Sequence, residues 1–209
     1  MIGAVRYARA IEILVVCTAN ICRSPMAEAL LGTRIAEREL AATVVSAGVL
    51  EGGHERPAEV TAVLAKRGIA LPDGLSRQLV QGDVQRADLV LGMEREHVRD
   101  AVLLEPDVWP RTFTLKELVR RGAELGPRLP FESPGAWLAR AHEGRDRPDL
   151  LGDSPLDDVA DPFGGPGSDY EAAATEIEDL VDRLVSLLWP MSGGSHHAPG
   201  TSGAQAVPS

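Results

Sequence analysis

Ile11 to Val16 is a short β-branched run, unbroken and apolar from Ile13 to Val16, and only eight residues, Cys17-Thr18-Ala19-Asn20-Ile21-Cys22-Arg23-Ser24, separate it from a stretch of helical periodicity opening at Pro25. Continuously apolar runs of that length are the mark of a strand buried on both faces. Ser24-Pro25 reads as an N-cap with proline in the first turn, and Met26, Leu30, Leu31 and Ile35 follow at helical spacing. A buried strand passing through a tight loop into a helix is what a parallel sheet with helices packed on it requires.

The rest of the chain repeats that alternation. Strands are predicted near Ile11 to Val16, Thr43 to Ser46, Asp88 to Leu91 and Arg111 to Thr114. Helices are predicted near Pro25 to Arg38, Pro57 to Lys66, Arg95 to Val102, Leu115 to Arg121 and Ser168 to Leu188, with a further short one at Pro134 to His142. The helix beginning at Ser168 carries one apolar stripe through Tyr170, Ala173, Ala174, Ile177, Leu180, Val181, Leu184, Leu187 and Leu188, which is packing rather than a ligand site. Gly68 reads as a C-cap and Gly32 as a tolerated interior glycine. The predicted fold class is α/β, a three-layer α/β/α arrangement around a four-stranded parallel sheet.

The first loop sets a thiol and a guanidinium at its two ends. Five residues between them let backbone N–H groups turn inward and, with the Arg23 fork, surround a tetrahedral oxyanion above the Cys17 sulfur. The positive helix end and Arg23 favour thiolate over thiol, which would make Cys17 a nucleophile. A buried structural thiol is the plain alternative for Cys17. Asn20 tolerates a left-handed backbone, which so tight a curl demands, and the Ser24 hydroxyl is close enough in sequence to donate to the sulfur.

Here the chain resembles the low-molecular-weight protein tyrosine phosphatases of bacterial type, whose signature is Cys, five residues, Arg and then Ser or Thr near the N-terminus. Asn20, Ile21, Cys22 and Ser24-Pro25 share in the resemblance, as do Ser46-Ala47-Gly48, Ser76-Arg77-Gln78-Leu79, Ala87 to Leu91 with Met93 to His97, and Asp161-Pro162-Phe163. It extends from about Ile11 to Leu188 and implies a cysteine-dependent phosphatase working through a phosphocysteine, with no metal and no cofactor. Cys17, Arg23 and Asp161 would be catalytic, with Thr18, Ala19, Asn20, Ile21, Cys22 and Ser24 forming the phosphate-binding loop. Among the four aspartates of Asp153 to Gly165, the resemblance selects Asp161 as the proton donor to the leaving oxygen, an acidic surface turn describing Asp157 and Asp158 better. Ser46 and Arg77 would brace the loop, and Phe163 would line the mouth and pack on a substrate ring.

Two departures bear on substrate. Gly164 follows Phe163 where relatives of eukaryotic type often carry a second aromatic, and Val49 to Arg56 contains no aromatic for the opposite wall. The implied substrate is protein phosphotyrosine. The alternatives are a small phosphorylated metabolite or nucleotide, with hydrolysis or transfer to an alcohol, and an arsenate reductase, which would need thiols beyond Cys17 and Cys22. Cys22 is open between a partner that rescues an oxidised Cys17 as a disulfide and a small filler under the loop. His54 reads as a solvated loop residue, and His142 has no Cys or His at ligand spacing.

Composition narrows the partners. Among 209 residues, 21 Lys and Arg against 31 Asp and Glu give a net charge of −10, which opposes a basic nucleic-acid-binding face. No apolar run approaches the ~18 residues needed to span a bilayer, Met1 to Ala10 lacks a signal-peptide core, and two cysteines suit a reducing cytoplasm. The expected organisation is an N-terminal extension over 1–10, one phosphatase domain over 11–189 with an insertion near 122–156, and a disordered tail over 190–209 that includes His196-His197. The oligomeric state is not encoded in any readable pattern.

Overall fold

The computed structural model describes residues 9–71 and 73–191, so most of the expected extension and tail, with His196-His197, lies outside the described residues. Four parallel strands form the sheet: β1 (Ile11–Cys17), β2 (Ala42–Gly48), β3 (Leu89–Gly92) and β4 (Thr112–Thr114), in the order β2-β1-β3-β4. The helices are α1 (Arg23–Glu37), α2 (Ala58–Ala65), α3 (Gln81–Arg86), α4 (Arg95–Leu104), α5 (Leu115–Leu125), α6 (Pro134–His142) and α7 (Gly167–Leu188), with 3₁₀ turns at Pro106–Arg111 and Arg147–Leu150.

Alternation along β1 divides the core. Ile13 and Val15 join Leu89, Leu91 and Phe113 under α1, α2, α5, α6 and α7, while Leu14 and Val16 join Ala47 and Val90 against Leu79, Val84 and Ala101 on the side of α3 and α4. This is the three-layer α/β/α arrangement that the alternating pattern implied. Residues of β1 are fully buried from Ile13 to Val16, which is why this strand reads as an unbroken apolar run. Burying one such side chain contributes about 1.5–3 kcal/mol, so β1 anchors the loop that follows it to the stiffest part of the molecule.

Register then fixes where the strands end. Cys17 pairs with Gly48, Val16 with Gly92, and Gly92 with Thr114, so all four strands terminate at one edge. From β1 the chain moves outward to β2, then crosses to β3 on the opposite side, leaving a crevice at the carboxyl ends where the order reverses. The eight-residue sequence from Cys17 sits at that crevice.

Several expectations shift in detail. The six-residue helix α3 was not predicted, since it is too short to show periodicity. Helix α1 begins at Arg23 with Cys22 as its N-cap and no side-chain cap, so Ser24 is not the cap that Ser24-Pro25 suggested; its hydroxyl is engaged elsewhere. Gly68, at φ +70°, closes α2 as expected: its N–H donates to the Ala65 carbonyl and that of Ile69 to the Leu64 carbonyl. The 122–156 segment carries the end of α5, α6 and the second 3₁₀ turn. Trp137, carried by α6, is wholly buried and its indole N–H donates to the Gly126 carbonyl at 3.0 Å.

Candidate active site

The loop between β1 and α1 closes on its own first residue. Asn20 has φ +56°, the left-handed value expected of a tight curl, which turns its N–H back to the Cys17 sulfur at 3.3 Å. The Ser24 hydroxyl lies 3.0 Å from the same sulfur. Cys17 is only 3% exposed and borders the core, and its sulfur meets two polar groups of the loop.

Asn20 also ties the loop to its neighbours. Its Oδ1 accepts the Arg77 backbone N–H at 3.0 Å, and because that partner can only donate, Nδ2 is left to donate to Ser24 Oγ at 3.0 Å and Ser46 Oγ at 2.7 Å. Ser46 passes its own proton to Glu28 Oε2 at 2.5 Å. Ser24, receiving from Asn20, still has its own proton to offer, and it donates to the sulfur whenever Cys17 is a thiolate. Ser46 is placed as a brace of the loop through Asn20. Arg77 is one only through its backbone, since its guanidinium turns away to Asp83 at 2.6 Å. Gly48 fits beneath Ala19 so closely that an added Cβ would lie 2.6 Å from the Ala19 carbonyl carbon and 2.7 Å from the Asn20 nitrogen.

Arg23 stands at the far end of the loop, 1% exposed. Its Nη1 donates to Glu94 Oε1 at 2.6 Å and to the Val159 carbonyl at 2.9 Å; its Nη2 donates to Thr18 Oγ1 at 3.1 Å and to Asp161 Oδ2 at 2.7 Å. A guanidinium bonded on both terminal nitrogens is fixed in orientation as well as position. Burial pushes the Glu94 carboxyl above its ordinary value in spite of Arg23 beside it, with the charges of Asp158 and Asp161 adding to the rise.

Asp161 reaches this cluster on a clamped segment. The Val159 N–H donates to the Met93 carbonyl at 2.8 Å, directly after β3, and Asp158 accepts the N–H groups of Arg95 and Ser154. Asp157 accepts from Arg95 at 2.6 Å and from Arg120 at 2.9 Å. Burial alone would raise the Asp157 carboxyl, but those two arginines outweigh it and hold the group below its ordinary value. Reading Asp157 and Asp158 as a surface turn is therefore corrected: Asp157 is 4% exposed and both fasten the acid segment to α4 and α5. Only Asp161 meets Arg23, and the Phe163 N–H steadies its other oxygen at 3.1 Å.

The mouth carries two exposed apolar side chains. Phe163 follows Asp161 closely, and Leu50 follows the β2 end, its N–H donating to the Thr18 carbonyl at 2.9 Å. The wall expected to be bare is thus an aliphatic one. Ile21 is half-buried against the core beneath the loop. Cys22 is buried; its thiol is pushed up to about 12, first by burial and then by the neighbouring Asp161 and Cys17, while a hydrogen bond with Tyr170 opposes the rise.

Sequence reasoning missed Glu94 and His97 as parts of this cluster. His97 is fully buried, takes the Glu94 N–H on Nδ1 at 3.0 Å and places Nε2 3.1 Å from Thr18 Oγ1. Both lie just past β3, and the shared strand edge that brings them to Cys17 has no trace in local sequence. His54 is exposed, and His142 packs edge-on against Trp109, so neither joins the cluster. Among the described residues, no group of three or more His, Cys, Asp and Glu side chains is placed to hold a metal ion, and no helix is long and apolar enough to cross a membrane.

Comparison with known proteins points one way. The family model for low molecular weight phosphotyrosine protein phosphatase matches residues 12–126. A protein-arginine-phosphatase from Geobacillus stearothermophilus is 35% identical over 85% of this chain and 95% of its own length. The probable low molecular weight protein-tyrosine-phosphatase AmsI from Erwinia amylovora is 35% identical over 85% and 96% respectively. Among solved structures, the low molecular weight protein tyrosine phosphatase from T. tengcongensis superposes with a TM-score of 0.65 at 30% identity, covering 85% of this chain and 99% of that one.

Proposed function

Because this chain belongs to the low molecular weight phosphotyrosine protein phosphatase family, and is a cysteine-based phosphatase on that ground, we propose that it hydrolyses phosphotyrosine in proteins through a phosphocysteine formed on Cys17. The observation that carries the reading is the meeting of three groups from distant parts of the chain. The Cys17 sulfur sits inside the loop, Arg23 closes the loop's far end, and Asp161 is hydrogen-bonded to Arg23 at 2.7 Å.

The chemistry follows from their placement. The Cys17 sulfur attacks phosphorus in line, forming an S–P bond as the P–O bond to the tyrosine breaks, and Asp161 gives its proton to the departing oxygen. Loop N–H groups and the Arg23 fork hold the equatorial oxygens as charge spreads over them. Water then attacks the phosphocysteine, Asp161 takes a proton from it, and phosphate leaves with the thiolate restored. Ser24, supplied with a hydrogen bond by Asn20, points its proton at the sulfur and steadies its anion in both steps.

Leu50 and Phe163 support an aryl ester, since an apolar rim recovers area from a ring and offers nothing to a sugar or nucleotide hydroxyl. One observation favours a second reading: the relative from Geobacillus stearothermophilus is named a protein-arginine-phosphatase, so phosphoarginine is a competing substrate. Specificity constants on matched phosphotyrosyl and phosphoarginyl peptides, with an alkyl phosphate as control, decide between them, and a higher value on phosphoarginine overturns the tyrosine assignment. Cys17→Ser is expected to lower turnover by at least about a thousandfold while still binding phosphate. Asp161→Asn is expected to lower it about 10²–10⁴-fold on alkyl phosphates and less on good leaving groups; an equal effect on both would place the acid elsewhere.

A further inference from the structure

Arg23, Glu94, His97 and Thr18 form a closed ring of contacts. Arg23 Nη1 reaches Glu94, Arg23 Nη2 reaches Thr18 Oγ1, His97 Nε2 reaches the same Thr18 oxygen, and His97 Nδ1 takes the Glu94 N–H. His97 is 0% exposed and belongs to neither half of the reaction as described above.

Hydrogen-bond polarity around the ring is determined. A backbone N–H can only donate, so Nδ1 of His97 is an acceptor and the ring proton must sit on Nε2. That proton has one partner in range: Thr18 Oγ1 at 3.1 Å, the Glu94 carboxylate at 3.6 Å being too far. Burial, reinforced by the charges of Arg23 and Arg99, pulls the imidazole down to about 3, so it is neutral near neutral pH and its tautomer does not change there. Thr18 Oγ1 therefore accepts from His97 and from Arg23 at once. A hydroxyl accepting two bonds has its lone pairs occupied, and its own proton must point away from both donors.

We propose that His97 is a positioning residue for phosphoryl transfer that acts through the Thr18 hydroxyl. It does so in two ways. By fixing the Thr18 side chain it keeps oxygen, not methyl, against Arg23, so that the guanidinium is held by Glu94, the Val159 carbonyl and Thr18 together. Its two Nη2 hydrogens are then committed to Thr18 and to Asp161 Oδ2, which fixes the fork beside the acid. By occupying a lone pair of the oxygen, His97 also turns the Thr18 O–H out of the ring of contacts. Thr18 is the residue that follows Cys17, so a small rotation of its side chain is felt at the reacting atoms.

This proposal rests on the cysteine phosphatase reading, and its test keeps the two separable. Turnover of p-nitrophenyl phosphate by the wild-type protein, lost in Cys17→Ser, examines that reading; the variants below examine His97. His97→Asn retains an acceptor for the Glu94 N–H but is too short to reach Thr18, Thr18→Val removes the hydroxyl at constant shape, and Thr18→Ser restores it. Each of the first two is expected to lower kcat about tenfold. The double variant is expected to fall no further than either single one, because both break the same link. Thr18→Ser is expected to recover most of the wild-type kcat. Losses that multiply to about a hundredfold in the double variant would give His97 a separate structural role and overturn the proposal. Should His97→Asn not fold, Thr18→Val against Thr18→Ser stands alone: equal kcat in the two overturns it.

Discussion

Acid should weaken the fold through His97, by an amount that can be worked out. In the unfolded chain this imidazole titrates near 6.5, whereas burial holds it at about 3 in the folded protein. Between those values the unfolded state binds a proton that the folded state refuses, so unfolding is favoured increasingly as pH falls, and the contribution is constant again above 6.5. Between pH 7 and pH 4.5 the linkage integral for this one group comes to about 2.5 kcal/mol. Carboxylates titrate over the same interval, so the measurement must be a difference. His97→Asn removes the imidazole and leaves the carboxylates in place; the wild-type protein should therefore lose about 2.5 kcal/mol more than the variant over this span. Urea titrations followed by the fluorescence of Trp109, Trp137 and Trp189 report it. With a slope of about 2–3 kcal/mol/M, the wild-type midpoint should fall by about 1 M more than that of the variant. Midpoints that fall in parallel would show that His97 is protonated in the folded state, and with it the ring polarity described above would fail.

Two further outcomes are expected. Gly48→Ala puts a methyl into the backbone of Ala19 and Asn20, and is expected to cost about 1–3 kcal/mol and to lower kcat/KM about a hundredfold by shifting the loop; unchanged kinetics would mean the loop has slack. With its thiol pushed up to about 12, Cys22 should be ionised in fewer than about one molecule in 10⁴ at pH 7.5, so brief iodoacetamide treatment and mass spectrometry should find alkyl groups on Cys17 alone. Equal labelling of both cysteines would count against the buried, Tyr170-bonded placement of Cys22.

Local chemistry carried the first loop in the sequence. Four consecutive apolar residues, a cysteine, five residues and an arginine specify both the strand and the tight loop after it, because each constraint acts over a few bonds. Asn20 illustrates this: the left-handed backbone expected of it is observed at φ +56°. Ser24 shows the limit. As Ser-Pro before a helical stretch it reads as a cap, yet the hydroxyl is taken by the sulfur and by Asn20, a competition that propensity does not contain. Asp157 and Asp158 were misread for a related reason, since a run of acids with Pro and Gly is normally solvated and only Arg95 and Arg120, brought in on other helices, make it interior. Glu94 and His97 lie more than 70 positions from Cys17, and the register of β1 with β3 alone makes them neighbours.

The stretch over 122–156, which reads as an appendage, packs Trp137, Leu138 and Ala141 into the core and reaches the last strand through one charged side chain. Arg145 lies between the faces of Trp109 and Phe113, at 3.9 and 4.0 Å from their centroids, and grips Glu117 through two oxygens while bonding the Thr112 carbonyl. Trimming the segment would therefore strand a carboxylate inside the protein and strip two rings of their cation, at the base of the very helix whose lysine and arginine, Lys116 and Arg120, grip the acid-bearing segment. A deletion made to shorten this enzyme would be felt first as looseness in the segment that carries Asp161.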